Sequence, residues 1–111
     1  MENDNRNQKD TQVALKSAVI ENSTEELATV LSTIDDKQLI NDFLCCLLTP
    51  KELEAVAMRW QLVKEIKNGT TQREISRELG LSLCKITRGS RELKKEHSAF
   101  KQVLEIFSSL K

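Results

Sequence analysis

The stretch that decides the fold is Thr71–Ser90, TQREISRELGLSLCKITRGS. Thr71 and Glu74 have the spacing of a capping box, in which an N-cap hydroxyl and a side chain three residues later bind each other's backbone N–H groups. Gly80 can adopt the positive φ of a tight turn, and Ser82 can cap a second helix. The spacing therefore predicts two short helices joined by a tight turn, which is a helix-turn-helix.

This helix-turn-helix, over about residues 71–92, combines an apolar inner face with a polar outer face. Ile75 and Leu79 lie one turn apart on the first helix, Ile86 lies on the second, and all three are expected in the core. The outer face carries basic and hydroxyl side chains, which bind phosphates and base edges. Residues 71–95 contain seven Lys or Arg and three Asp or Glu. The motif is therefore predicted to bind double-stranded DNA.

Helical patterns continue on both sides of the motif. Thr49–Glu52 is a second capping box and opens a long helix that Asn68-Gly69 ends. A last helix is expected over about 98–110. Upstream, Ser23–Glu26 is a further capping box, and Asp35-Asp36 can cap the helix that follows it. The predicted apolar stripe of the long helix consists of Leu53, Val56, Ala57, Trp60, Val63 and Ile66.

The whole composition fits one all-α domain. Hydrophobic residues make up 39% of the 111 residues, and 3 Gly with 1 Pro are too few turn residues for a β-sandwich or barrel. Residues 1–10 are polar and are expected to form a disordered N-terminal arm. Residues 11–111 are expected to form a single all-helical domain. A domain of this size buries a limited fraction of its apolar surface, so a partner chain can complete the core.

Charge is distributed unevenly along a chain whose net charge is zero. Residues 1–57 hold 5 basic and 11 acidic residues, and residues 58–111 hold 12 basic and 6 acidic residues. The first part therefore carries −6 and the second +6. A basic second half can bind phosphate while the acidic half weakens non-specific attraction.

Other classes of protein are disfavoured. No apolar run is long enough to span a membrane, and the start of the chain has no secretory pattern. The three cysteines, an odd number, suggest reduced thiols and a cytoplasmic location. His97 is the only histidine and has no catalytic partner in its surroundings, so no enzyme is predicted. No metal site and no resident cofactor are expected.

Three motifs together resemble the tryptophan repressor family: Leu48–Glu52 (LTPKE), Thr71–Glu74 (TQRE) and Ile86–Ser90 (ITRGS). The similarity is clearest over roughly residues 39–95. The resemblance implies an all-α, intertwined homodimer with two DNA-reading heads. It also implies operator DNA as a partner and free L-tryptophan as the corepressor ligand.

The same resemblance implies a tryptophan site. Arg59 and Arg88 would sandwich the indole ring, and Arg88 with Thr49 would bind the ligand carboxylate. An arginine suits both tasks because its planar guanidinium stacks on rings and forms forked hydrogen bonds. Backbone carbonyls of the partner subunit would hold the ammonium, and Gly89 would leave room beside the ring. The full set is Cys46, Leu48, Thr49, Arg59, Arg88, Gly89 and Glu92.

For DNA, the resemblance and the polar outer face give a second set of candidates. Arg73 is expected to contact guanine directly, and the others to position the helix through phosphates and waters. The set is Thr71, Gln72, Arg73, Ser82, Leu83, Cys84, Lys85, Thr87, Ser90 and Lys94. Cys84 and Lys85 stand where the family has smaller residues, so the operator can differ. Glu92 stands where the family has a serine that meets the ligand ammonium.

The leading hypothesis is an L-tryptophan-dependent transcriptional repressor. The alternative is a related helix-turn-helix regulator that binds DNA without tryptophan, which Glu92 leaves open. A third hypothesis is a helical protein-interaction module, which would have no salt-dependent affinity for DNA.

Overall fold

A computed structural model describes the backbone of residues 2–110 and the side chains of residues 8–110. The regular elements in this range are the helices α1 (Glu2–Thr33), α2 (Lys37–Leu47), α3 (Pro50–Lys67), α4 (Gln72–Leu79), α5 (Leu83–Lys94) and α6 (Ala99–Ser109). The prediction of an all-α protein is confirmed. The chain divides into two compact units, the first ending at Leu47 and the second beginning at Leu48.

In the first unit, α1 is one continuous helix, so the helix start predicted at Ser23–Glu26 is wrong. The Thr24 hydroxyl donates to the Ile20 carbonyl at 2.6 Å, a bond that is available only inside a helix that is already running. The helix also includes residues 2–10, for which the sequence predicts a disordered arm. Met1 lies outside the described residues, and the arm and the domain limits 11–111 stay predictions.

The first unit has no buried core of its own among residues 8–47. The α1 side chains Val13, Leu15, Val19, Ile20 and Val30 are each more than half exposed. At 100° per residue these positions occupy less than half of the circumference of the helix. Exposed apolar side chains that share one side of a helix favour packing against another apolar surface.

In the second unit, α3 begins at the predicted capping box. The Thr49 N–H donates to Glu52 Oε1 at 2.9 Å, and the Glu52 N–H donates to Thr49 Oγ1 at 3.2 Å. The hydrogen bond from the Thr49 backbone, followed by the bond to its side chain, lowers the pKa of the Glu52 carboxyl. The box is therefore complete while Glu52 is ionised, and it is lost as acid protonates that group.

Two faces of α3 are used by the rest of the unit. Trp60 meets Phe107 of α6 edge to face, with ring centroids 5.7 Å apart, so Trp60 packs between helices as predicted. On another face, Leu62 is 3% exposed and packs with Ile75 and Ile86 of α4 and α5. Leu62 was missing from the predicted apolar stripe because that pattern assumed one buried face.

The α4–α5 pair is fixed by the local signals read from the sequence. The Glu74 N–H donates to Thr71 Oγ1 at 3.2 Å, and the Thr71 N–H donates to Glu74 Oε2 at 3.3 Å. Gly80 ends α4 with φ 66°. The Lys85 N–H donates to the Ser82 hydroxyl at 3.3 Å, which caps α5. These caps matter because helices of this length are marginal without them.

Gly89 is the point at which α5 comes closest to α3. A Cβ atom at Gly89 would lie 3.1 Å from Leu62 Cδ2 and 3.3 Å from Ile66 Cδ1. Both distances are well below ordinary carbon–carbon contact. The absence of a side chain at this position lets the two helices meet.

We expect Ile86→Ala to lower the free energy of unfolding by about 3 kcal/mol, because deleting a fully buried aliphatic side chain leaves a cavity. Ile86 is 0% exposed. Leu83→Ala, on the same helix, is the control, since Leu83 is 60% exposed and its loss costs little. Urea denaturation followed by circular dichroism measures both. Equal destabilisation by the two variants would contradict the packing described here.

We expect Gly89→Ala to lower the free energy of unfolding by about 1–3 kcal/mol, although alanine is the better helix former. The added methyl group would press on Leu62 and Ile66. If the cost of Gly89→Ala is smaller when it is introduced into Leu62→Ala than into wild type, the contact between the added methyl group and Leu62 is the cause. A Gly89→Ala protein with raised stability would show that the two helices are not in close contact.

Candidate DNA-binding and ligand-binding surfaces

Most of the DNA-binding candidates lie at the N-terminal ends of α4 and α5, whereas Thr87, Ser90 and Lys94 lie further along α5. Thr71 and Ser82 are the two N-caps, and Gln72 and Arg73 begin α4. The other candidates on α5 are Leu83, Cys84, Lys85, Thr87, Ser90 and Lys94. Thr87 and Ser90 are half-buried, whereas the rest of both groups are exposed. The structure thus places most of the predicted set on accessible surface of one helical pair.

An open cleft lies on this surface, between α4 and the start of α5. Its lining consists of Gln72, Arg73, Ser76, Arg77 and Leu83. Three of these were predicted as DNA contacts, whereas Ser76 and Arg77 were not. Arg73 and Arg77 are four residues apart, which places them on one face of α4. That spacing was a signal for Arg77 in the sequence itself.

Three acidic side chains lie on the pair, Glu74, Glu78 and Glu92, and none of them forms an ion pair with the arginines of the cleft. Glu74 is held by the backbone N–H of Thr71. Glu92 forms an ion pair with Lys95 at 2.9 Å, and among residues 8–110 this is the one carboxylate–cation contact within 4 Å. Arg73 and Arg77 therefore present their charge to solvent.

The tryptophan-binding candidates are spread over both units. Cys46 lies in α2 of the first unit, and Leu48 lies in the link that follows α2. In the second unit, Arg59 is exposed on α3, and Arg88 is exposed on α5. Gly89 is buried against α3, and Glu92 is half-buried. Arg59 and Arg88 thus lie on the two helices, α3 and α5, that pack together at Gly89.

Thr49 is engaged in a way that still allows a ligand contact. Its hydroxyl oxygen accepts the Glu52 N–H at 3.2 Å as the cap of α3. A hydroxyl group can accept and donate at the same time. The Thr49 O–H is therefore available to donate to a carboxylate, while the oxygen remains the helix cap.

Glu92 is the residue that most changes the electrostatics of the candidate ligand site. Its ion pair with Lys95 spans one turn, with side chains 38% and 63% exposed respectively. A pair this exposed contributes at most about 1 kcal/mol. Glu92 can therefore exchange Lys95 for another cation at little cost.

A second cleft lies between α3 and α6. It is lined by Gln61, Lys64, Lys67, Asn68, Leu104, Phe107 and Ser108. The Lys64 ammonium lies 6.0 Å from the Trp60 ring centroid and 5.5 Å from that of Phe107. These cation–π contacts hold the Lys64 ammonium beside the two rings through which α3 and α6 pack. Arg59 and Arg88 line neither this cleft nor the one beside α4.

Within the described part of the chain, no group of three or more His, Cys, Asp or Glu side chains could hold a metal ion. The search for membrane-spanning helices over the same residues finds none that is long and apolar enough. The three cysteines are free and exposed.

Comparison with known proteins gives a consistent result. The family model described as Trp repressor protein matches residues 22–107. A Trp operon repressor homolog of Vibrio parahaemolyticus is 34% identical over 83 residues, which is 74% of this chain and 81% of the relative. A homolog of the same name from Chlamydia caviae is 35% identical over 77% of this chain and 85% of the relative.

A third relative of that name, from Chlamydia trachomatis serovar L2, is 31% identical over 77% of this chain and 92% of its own length. No solved structure gives a significant match. The matched region runs from the last third of α1 through most of α6 and includes all residues of both candidate surfaces. The chain belongs to the Trp repressor family.

Proposed function

We propose that this protein is a transcriptional repressor that binds operator DNA through the α4–α5 pair and uses L-tryptophan as its corepressor. The observation that carries the proposal is the exposed surface at the N-terminal ends of α4 and α5, where Arg73 and Lys85 form no ion pair with a carboxylate. Arginine and lysine side chains there can reach phosphates, and Arg73 at the start of α4 can reach a guanine edge. Family membership and the names of the relatives support the same function.

The chemistry of the α3–α5 contact supports tryptophan as the ligand. Arg88 directly precedes Gly89 on α5, and Arg59 lies on α3, the helix that Gly89 contacts. Thr49 keeps a hydroxyl hydrogen for the ligand carboxylate, and Glu92 supplies a carboxylate for the ammonium. A zwitterionic amino acid with an aromatic side chain matches this combination of groups.

Tryptophan would act by changing the position of α5 relative to α3. A ligand shifts an equilibrium only by its difference in affinity for the two states. A ligand placed beside Gly89 would contact α3 and α5 together, so its affinity would depend on their relative position. Because α5 also carries Leu83, Cys84 and Lys85 on its exposed end, the same movement would reorient the DNA-binding surface. Such a repressor would act in the cytoplasm, where the operator DNA lies.

We propose that a second copy of this chain covers the exposed apolar side chains of the first unit. The α1 side chains that are more than half exposed form one apolar stripe, and α6 exposes Val103, Ile106 and Leu110 at helical spacing. Apolar surface of this extent marks an interaction site. A homodimer, intertwined through its N-terminal helices, would cover it and would place two copies of the α4–α5 pair on one DNA duplex.

The second candidate function is a regulator of the same family that binds DNA without tryptophan. The Glu92–Lys95 ion pair is the observation in its favour, since it occupies the carboxylate that would meet the ligand ammonium. The weakness of so exposed a pair favours the first candidate. A protein-interaction module leaves the basic surface of α4 and α5 unexplained.

For dimerisation, we expect wild-type protein to sediment as a dimer at micromolar concentration and Val19→Asp to shift it towards monomer. Val19 is 61% exposed on the apolar stripe of α1, and burying an aspartate in an interface is costly. Leu83→Asp is the matched control, because Leu83 is 60% exposed but lies on the proposed DNA surface. A monomeric wild type, or equal effects of the two variants, would exclude this interface.

For the corepressor, we expect L-tryptophan to raise the affinity for the protein's operator about tenfold or more, within the usual range of allosteric coupling. Arg88→Ala should abolish this effect and weaken tryptophan binding measured by calorimetry roughly 10- to 100-fold, because a charge-assisted pair is lost. Arg91→Ala, three residues further along α5, is the control that should retain the tryptophan effect.

The possible outcomes separate the two candidates. DNA binding that is equally strong with and without tryptophan would favour the second candidate and reject the corepressor role. Salt-independent or absent DNA binding would reject both, since contacts to phosphate release counterions and make affinity depend on salt.

A further inference from the structure

The cleft between α4 and α5 contains a basic residue, Arg77, that neither the sequence motifs nor the family match assigns to DNA. We propose that Arg77 is a phosphate-binding residue that, together with Arg73, holds one stretch of the DNA backbone in this cleft. The inference rests on the proposed DNA-binding function and extends the surface beyond the N-terminal end of α4.

The first argument is geometric. Arg73 and Arg77 both line the cleft, together with Gln72, Ser76 and Leu83. Residues four apart on a helix have Cβ atoms about 5–6 Å from each other, so the two guanidinium groups can reach one phosphate or two successive ones. Ser76 lies between them and is small, which keeps the space between the arginines open.

The second argument is electrostatic. Among the described residues, no carboxylate lies within 4 Å of either guanidinium. Glu74, the nearest acidic residue in sequence to Arg73, is held by the Thr71 backbone as part of the capping box. Glu78, which follows Arg77 in sequence, is exposed and forms no ion pair with it. Like charges one turn apart destabilise a helix. An anion bound between Arg73 and Arg77 would remove this repulsion.

The third argument concerns the kind of anion. A guanidinium forms forked hydrogen bonds with phosphate oxygens, and phosphate contacts position a protein on DNA without reading its sequence. Leu83, 60% exposed, adds an apolar edge to the cleft. Apolar side chains meet thymine methyl groups in the major groove, so a base edge can lie beside the phosphate that Arg77 holds. A DNA strand offers both groups together, whereas free phosphate offers one.

The test compares the salt dependence of DNA affinity in four proteins: wild type, Arg77→Ala, Arg77→Lys and Lys101→Ala. The probe is a mixed-sequence DNA duplex longer than three helical turns, and affinity is measured by fluorescence anisotropy at several salt concentrations. Lys101 is the matched control because it is an exposed cation on α6, away from the cleft. Circular dichroism verifies that each variant is folded.

We expect Arg77→Ala to reduce the slope of log affinity against log salt by about 0.9 per subunit, the value for one phosphate contact. Near 0.1 M salt this corresponds to roughly a tenfold loss of affinity for each contact. Arg77→Lys should restore most of the slope because the charge is kept, and Lys101→Ala should leave it unchanged. Arg77→Ala should weaken binding to an operator duplex and to the mixed-sequence duplex by the same factor.

An Arg77→Ala protein that binds with the wild-type slope would overturn the inference and leave the proposed function intact. A wild type with no salt-dependent DNA affinity would overturn the proposed function and the inference together. Inorganic phosphate provides the last arm of the test. Suppose that phosphate raises the melting temperature of wild type but not of Arg77→Ala, while the two proteins have equal slopes of log DNA affinity against log salt. The cleft then binds a free anion and not DNA.

Discussion

The close packing of α5 against α3 at Gly89 is the constraint on which both candidate surfaces depend. A Cβ atom at Gly89 would be in tight contact with Leu62 and Ile66, so the absence of a side chain at this position permits the close approach of the two helices. Close-packed interiors do not deform continuously. A displacement of α5 at this contact is therefore carried to the exposed end of the helix, where Leu83 lies.

The helical pair that would read DNA is held by a small core and by its caps. Its fully or nearly buried core residues are Leu62, Ile75 and Ile86. The caps at Thr71 and Ser82 fix where each helix begins. Segments with few buried contacts open and shift at low free-energy cost, and such segments are the ones that move in allosteric proteins. A pair with strong local caps and a small shared core can therefore keep its own shape while its position changes.

The features predicted from sequence were those set by interactions within a few residues. The caps at Thr49, Thr71 and Ser82 involve side chain and backbone three residues apart, so the sequence contains all of their determinants. The capping box at Ser23 failed because residues on both sides favour a continuous helix, in which the Thr24 hydroxyl bonds to the preceding turn. Leu62 and the cleft beside Arg77 were missed because they depend on how separate helices pack. The roles proposed for Arg59 and Arg88 come from the resemblance alone, because a ligand site formed between helices would leave no local pattern in the sequence.

Local charge, not net charge, decides what the second unit can bind. The chain as a whole is neutral, yet residues 71–95 carry seven basic and three acidic residues. Two of those acidic side chains are already engaged, Glu74 by the backbone of Thr71 and Glu92 by Lys95. Engagement of Glu74 by a helix cap stabilises α4 and also removes a competitor for the arginines beside it. The excess of basic over acidic residues between 71 and 95 therefore makes this part of the chain cationic as a whole, and a surface of that kind attracts a polyanion over a distance of about one Debye length.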